Sequence, residues 1–399
     1  MGRNGQMNES MIDGLETMGT DWLSPQGMLR ICEAVRYPRE AAEALIAETE
    51  RLTQDAAVAE EAKEFYQALF VDCHRSSGEV NQELLAMGEK GEMLAAVVYA
   101  GAIPRLWERC QQSGIPAGVL IDTVQDIIIW METHRKRTGR WGLSELNWLH
   151  RHMTGGLFRL GRLQFEPLTN PYAVRVFRHR TTGEILTLAD AGTHFLADGQ
   201  LADNAESNID DSCEQEDSIG NGLDGSWISS YTFDGKHYEG TPLSPLGLAS
   251  RGIVRLPADT WSLALQQGDE VLNVHIPEGS PLSREACSES YAKAVNLAAA
   301  CFPGLTFRAF VCQSWLLAPQ FRTLLPERSN IRQFQSDYRL LPLRSDEAQT
   351  LERVFGYGTT REALQDMKAE TSLQHTVRDH LISGGRIQNG AGFILMQEQ

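Results

Sequence analysis

The sequence predicts an α+β fold: an all-helical first part over residues 1–155, then a sheet-bearing domain over 156–399. Three observations predict it. At 399 residues the chain exceeds one ordinary core, so two domains of roughly 150 to 250 residues are expected. Up to about residue 155 the apolar residues recur at three- and four-residue spacing, and beyond it the period falls to two.

In the first part, "SPQGMLRICEAV", "REAAEALIAETERLTQDAAVAEEAKEFYQALFVDCHRS", "EMLAAVVYAGAIPRLWERCQQ" and "PAGVLIDTVQDIIIWMETHRKR" are rich in Ala, Leu, Glu and Gln, with Pro or Gly between them, as helices require. A last helix, "LSELNWLHRHM", is capped near Ser144 and stops at Gly155-Gly156. The alternation of "LFRLGRLQFEP" then reads as one strand, with Leu157, Arg159, Gly161, Leu163 and Phe165 on one face. "YAVRVFRHRTTGEILTLAD" reads as a hairpin around Thr181-Thr182-Gly183. From about 195 to 228 the chain is Asn, Ser, Asp, Glu and Gly with almost no apolar content, too little to offset ordering entropy, so a disordered acidic insertion is expected.

"SWISSYTF", "KHYEG", "GIVRLPADTWSLAL" and "EVLNVHIP" follow as strands, the last two joined by Gln267-Gly268-Asp269. After "VLNVHIPEGSPL" Ser283 can cap a helix whose one face holds Cys287, Tyr291, Ala294, Val295 and Ala298. "FRAFVCQSWLL" is then a strand, "APQFRTLLP" a short helix, "NIRQFQSDYRLLPL" another strand, "SDEAQTLERVFG" and "SLQHTVRDHLIS" helices, and "GFILM" a terminal strand. A strand-helix-strand unit thus lies at the centre of the second part.

Composition removes several function classes. Net charge is −17, but ten acids and no Lys or Arg lie between Asp190 and Asp224, which leaves −7 on the rest. Broad nucleic-acid binding needs a basic face, and the one basic cluster, His134-Arg135-Lys136-Arg137 with Arg140, reads as a solvated helix end. No run of about 18 apolar residues could span a bilayer, and the amino terminus lacks a signal-peptide core, so a cytoplasmic protein is expected. Seven scattered cysteines without a C-x-x-C pair fit reduced thiols better than a disulfide framework or zinc site. His150 and His152, two residues apart, point in different directions on a helix and read as surface, so no metal is expected.

"GNGLDG" at 220–225 has the spacing of a dinucleotide loop, but no strand precedes it and no helix follows it. No G-x-S-x-G, H-E-x-x-H or P-loop pattern occurs. Ala309 to Cys312 is apolar on both faces, the mark of a central strand, so Cys312 reads as core rather than nucleophile; Ser314 at that strand's end could hydrogen-bond a ligand or the strand itself. "VLNVHIPEGSPLSREAC" carries more: a strand ends in a Pro and Gly turn that opens a helix, which leaves free backbone N–H groups suited to an anion. Glu278 and Glu285 oppose an anion there, and only Arg284 assists.

Together with "GLFRLGRLQFEP", "FRAFVCQSWLLAPQF" and "SNIRQFQSDYRLLPL", this stretch resembles a family of bacterial acyltransferase-like proteins. In that family a helical N-terminal domain precedes a mixed-sheet domain similar to the GNAT superfamily of N-acetyltransferases. The resemblance implies direct acyl transfer from acyl-CoA or acetyl-CoA to a small-molecule or peptide amine held between the helical domain and the sheet, without a metal. It also implies that the fourth and fifth strands, here "EVLNVHIP" and "FRAFVCQSWLL", splay apart. Pantetheine would then pair with the fourth near Ile276, and Gly279, Ser280, Ser283 and Arg284 would receive the phosphates. By position His275 or Glu278 is the candidate base and Tyr338 the acid, with Glu166 an alternative base and packing the competing role for each. The superfamily's phosphate motif, Q/R-x-x-G-x-G/A, is absent: "EGSPLS" has one glycine and no arginine in place, and "RIQNGAG" at 386–392 leads to a strand. A non-catalytic binding module with a degraded phosphate turn is therefore the alternative.

Overall fold

The computed structural model describes residues 21–72, 74–202, 225–343 and 347–396. The body of the acidic stretch, residues 203–224, lies outside them. The chain forms two compact units: one of residues up to Glu166 with 276–280 and 288–303, the other of 167–275, 281–287 and the remainder from Gly304.

The first unit carries helices α1 (Pro25–Ala34), α2 (Arg39–Thr53), α3 (Ala56–Phe70), α4 (Ser77–Ala86), α5 (Glu89–Gly101), α6 (Ile103–Gln112), α7 (Ala117–Thr138) and α8 (Leu146–Met153). Local chemistry sets their ends. Ser24 Oγ accepts from Gly27 N at 2.9 Å to start α1, Asp55 Oδ1 accepts from Ala57 N at 3.0 Å to start α3, and left-handed Gly139 closes α7. Every residue from Leu94 to Gly101 is buried, so α5 runs through the middle of the core. A Cβ on Gly101 would stand 2.4 Å from the Trp22 ring, which explains the glycine inside that helix.

The expected single strand over 157–166 is a hairpin. Strands β1 (Phe158–Leu160) and β2 (Leu163–Thr169) pair antiparallel, Phe158 with Phe165 and Leu160 with Leu163. The turn falls on Gly161 at φ +79, a conformation that costs an L-residue about 1–2 kcal/mol. A period-two pattern does not reveal a reversal at its centre, and the glycine was the available signal. Gly161→Ala is expected to lower stability by about 1–2 kcal/mol in urea unfolding, because a Cβ there would also press within 3.1 Å of Ser290 Oγ.

In the second unit β3 (Val174–His179) and β4 (Ile185–Ala189) form the expected hairpin. Short strands β5 (His194–Phe195) and β6 (Trp227–Ile228) pair with each other at the two edges of the acidic stretch. Strands β7 (Tyr231–Phe233), β8 (His237–Gly240), β9 (Pro242–Leu243), β10 (Val254–Pro257) and β11 (Trp261–Gln266) complete two small sheets, β10-β8-β7 and β11-β3-β4-β9. "GIVRLPADTWSLAL" is thus two strands in two sheets rather than one, because Pro257 to Thr260 turns the chain.

The main sheet of this unit holds β12 (Glu270–His275), β13 (Ala309–Ser314), β14 (Arg339–Leu341) and β15 (Gly390–Leu395). Helix α9 (Arg284–Cys301) connects β12 to β13, which run parallel; β13 pairs antiparallel with β15, and β15 with β14. Ala309 to Cys312 are all buried, as an apolar run on both faces implies. Downstream lie α10 (Phe321–Leu324), α11 (Asn330–Ser336), α12 (Ala348–Phe355) and α13 (Ser372–Ile382). The expected strand "NIRQFQSDYRLLPL" is helix α11 followed by β14. Ile331, Phe334, Gln335 and Tyr338 recur at helical spacing, and buried Gln335 donates to Ala318 O at 2.7 Å, an anchor the helix supplies.

Candidate functional site

Within the strand-helix-strand unit the main sheet opens. The β12/β13 ladder has rungs Val271↔Ala309, Leu272↔Phe310 and Asn273↔Val311. It then stops, although β12 continues to His275 and β13 to Ser314. Val274 and His275 therefore leave the ladder where Cys312 and Gln313 would have been their partners. An opened strand edge is a place for an extended, amide-bearing ligand to add as a further strand.

On β12 the period of two puts Asn273, at the last rung, and His275, in the opening, on the same face. Asn273 is 8% exposed, His275 is half-buried, and Asn273 Nδ2 lies 3.1 Å from His275 Nε2. The Asn273 amide nitrogen is a donor, so this contact presents an N–H to that ring nitrogen. Asn273 escaped sequence analysis; the available signal was a single amide in an otherwise apolar buried strand.

On the β13 side Tyr338 is buried and its hydroxyl bonds the Cys312 thiol, one residue past the last rung. The ring tilts on Phe334 with centroids 5.1 Å apart and packs over Gly392, whose Cβ would stand 3.0 Å from Tyr338 Cβ. Burial pushes the Cys312 thiol up to about 12, so at neutral pH it is a thiol in the wall of the sheet and no nucleophile. Iodoacetamide at pH 8 is expected to leave Cys312 unlabelled until the protein is denatured, which peptide mass mapping would read. Ser314 Oγ accepts from Leu316 N at 3.2 Å and starts the turn Trp315–Leu317.

The other candidates divide between the units. In the second, Ser283 Oγ accepts from Ala286 N at 3.2 Å as the cap of α9, and Arg284 pairs with Asp337 at 3.5 Å. Burial raises the Asp337 carboxyl above its ordinary range, and Arg284 opposes that. In the first, Ile276 is half-buried while Glu278, Gly279 and Ser280 are exposed. Gly279 sits at φ +138, outside the reach of L side chains. Glu166 pairs with Arg151 at 3.5 Å.

The expected surface histidines are not at the surface. His150 stacks on Phe70 with Nε2 3.1 Å from Leu69 O, and burial lowers its pKa. His152 is fully buried, with Nε2 3.3 Å from Asp126 Oδ2. Asp126 in turn accepts from Gln164 Nε2 at 2.7 Å, Trp148 Nε1 at 2.8 Å and Trp130 Nε1 at 3.3 Å. The two histidines do point apart. In the basic cluster His134 is likewise buried, 3.3 Å from Glu92, while Arg135 and Arg140 keep solvated heads. Among the described residues no group of three or more His, Cys, Asp or Glu is placed to hold a metal, and no helix is long and apolar enough to cross a membrane.

Two family models match the chain: the N-acyltransferase N-terminal domain over residues 28–155 and the GNAT-like C-terminal domain over residues 157–394. Solved structures share the fold at 20% identity and a TM-score of 0.58. One is an acyltransferase mutant in complex with octanoyl-CoA, matched over 92% of this chain and 87% of that one. Two more are an acyltransferase in complex with decanoyl-CoA and teicoplanin and one in complex with CoA and 10C-teicoplanin, each matched over 98% of this chain and 99% of that one. No curated protein matches.

Proposed function

Because the chain belongs to the family described by the GNAT-like C-terminal domain, we propose that it moves an acyl group from acyl-CoA to the amine of a small-molecule acceptor by direct transfer. The observation that carries this is the opened β12/β13 edge beyond Asn273↔Val311. Pantetheine is an extended chain with two amides, and such a chain can add to β12 as a strand would, through the backbone near Ile276. The turn follows directly in the chain, so the amides of Gly279, Ser280 and Ser283 and the Arg284 side chain are the next groups a phosphate would meet. Medium-length acyl chains are the proposed donors, since the solved acyltransferases of this fold were captured with octanoyl-CoA and decanoyl-CoA. Teicoplanin in one of them supports a small-molecule acceptor.

In the transfer the amine nitrogen attacks the thioester carbon and loses a proton to His275, with Glu278 the next candidate base. Backbone N–H groups at the opened edge stabilise the carbonyl oxygen as it gains charge. The C–S bond breaks, Tyr338 returns a proton to the leaving thiolate, and the products are the amide and CoA thiol. The test is thiol release from acetyl-, octanoyl- and decanoyl-CoA with a panel of amines. Saturable, amine-dependent release favouring the longer donors is expected. Binding of acyl-CoA without release for any amine would make the chain a non-catalytic binding module.

A further inference from the structure

We infer that Arg159, on the β1–β2 hairpin, supplies the cationic contact to the phosphate groups of CoA that the turn after β12 lacks, and that Arg162 holds that turn in shape. The inference rests on the acyl-CoA reading above. The sequence of the turn, "PEGSPLS", contains no cation, yet two arginines of the first unit lie beside it. Arg162 Nη1 donates to Pro277 O at 2.8 Å, and Arg162 N donates to Ser290 Oγ at 2.9 Å, which ties hairpin, turn and α9 together. Since the peptide bond after Pro277 is trans, the Glu278 N–H points away from the carbonyl that Arg162 occupies.

Arg159 lies on the other strand of the hairpin. Its Nη2 is 3.8 Å from where a Cβ on Gly279 would stand, so the guanidinium sits beside the turn where the backbone is bare. Its Nε donates to Gly161 O at 3.3 Å, and among the described residues no carboxylate forms an ion pair with it. Lys293 Nζ is 3.6 Å from a Cβ position on Gly161 and pairs with Glu289 at 2.7 Å. The acids nearby are Glu278 on the turn and Asp122. Burial raises the Asp122 carboxyl above its ordinary range, while Arg159, Lys293 and Arg36 oppose that, so these three cations share one neighbourhood. A half-buried guanidinium with its fork unclaimed by carboxylates matches the oxygen pair of a phosphate, and backbone N–H groups of the turn add to it.

The test is calorimetric titration of the full-length wild type and Arg159→Ala with octanoyl-CoA, octanoyl-dephospho-CoA and octanoyl-pantetheine, the last lacking every phosphate. For octanoyl-CoA the substitution is expected to raise Kd about tenfold to a hundredfold, with octanoyl-pantetheine unchanged and the CoA penalty shrinking as salt is raised. A penalty that vanishes with the dephospho form assigns Arg159 to the 3′-phosphate, and one that persists assigns it to the pyrophosphate; both support the inference. Equal losses for octanoyl-CoA and octanoyl-pantetheine, or no loss for either, would overturn it while leaving the acyl-CoA reading intact. A wild type that binds none of the three would overturn both. Arg162→Lys, which keeps a donor for Pro277 O, is expected to retain octanoyl-CoA binding better than Arg162→Ala; indistinguishable losses would remove Arg162 from its positioning role.

Discussion

His275→Ala is expected to lower kcat for acyl transfer by about a hundredfold or more, with little change in the KM for acyl-CoA, because a positioned base contributes about 10²–10⁴ to such a step and leaves thioester binding to the strand edge and the phosphates. The geometry makes the expectation specific. His275 is the last residue of β12 and lies in the opened part of the sheet. Its Nε2 accepts from Asn273, so its orientation is fixed from one rung below. Removing that partner by Asn273→Ala should cost less, about tenfold in kcat, and should alter the pH profile of the rate, since Asn273 helps decide which ring nitrogen carries the proton. A merely structural Asn273 would lower stability and leave the profile alone. Steady-state kinetics with decanoyl-CoA and an accepted amine reads both. If His275→Ala and Glu278→Gln each retain the wild-type rate, neither residue is the base.

What the sequence exposes follows from how many neighbours a feature needs. The central strand Ala309–Cys312 was legible because burial on both faces is written in consecutive residues. The strand-helix-strand unit was legible because a Pro and Gly turn separates two periodicities. The hairpin at Gly161 was not, because "FRLGRLQF" preserves its alternation through the reversal, and only pairing partners tell one strand from two. Helix α11 was mistaken for a strand because "FQSDYRLLPL" continues apolar into β14, which masks the three- and four-residue spacing of Ile331, Phe334 and Gln335. The arginines beside the turn after β12 were hidden for a topological reason: the motif sought a cation within the turn, whereas Arg159 and Arg162 arrive from a segment distant in sequence. His152 was misplaced because a histidine near Arg151 reads as surface until its partner Asp126, from another helix, is known.

That buried pair leads to the largest effect expected on stability. Asp126→Ala should destabilise the protein by about 3–5 kcal/mol, the range found when one partner of a buried charged network is removed. The carboxylate accepts three N–H groups, from Gln164, Trp148 and Trp130, and lies beside His152. Those four residues come from α7, α8 and β2, so their orphaned donors are spread over three elements that cannot all turn to water. Gln164 and His152 are both fully buried, and each unsatisfied donor costs about 1–3 kcal/mol. Asn is no remedy: one of its two terminal atoms is itself a donor, which would face the N–H of Gln164 or of the tryptophans. Asp126→Asn is therefore expected to lose nearly as much as Asp126→Ala, whereas a residue of mere shape-filling value would tolerate the isostere. Equilibrium urea unfolding followed by tryptophan fluorescence suits the measurement, since Trp148 and Trp130 report the environment directly. A loss below about 1 kcal/mol for Asp126→Asn would show that the network is not held by its acceptor.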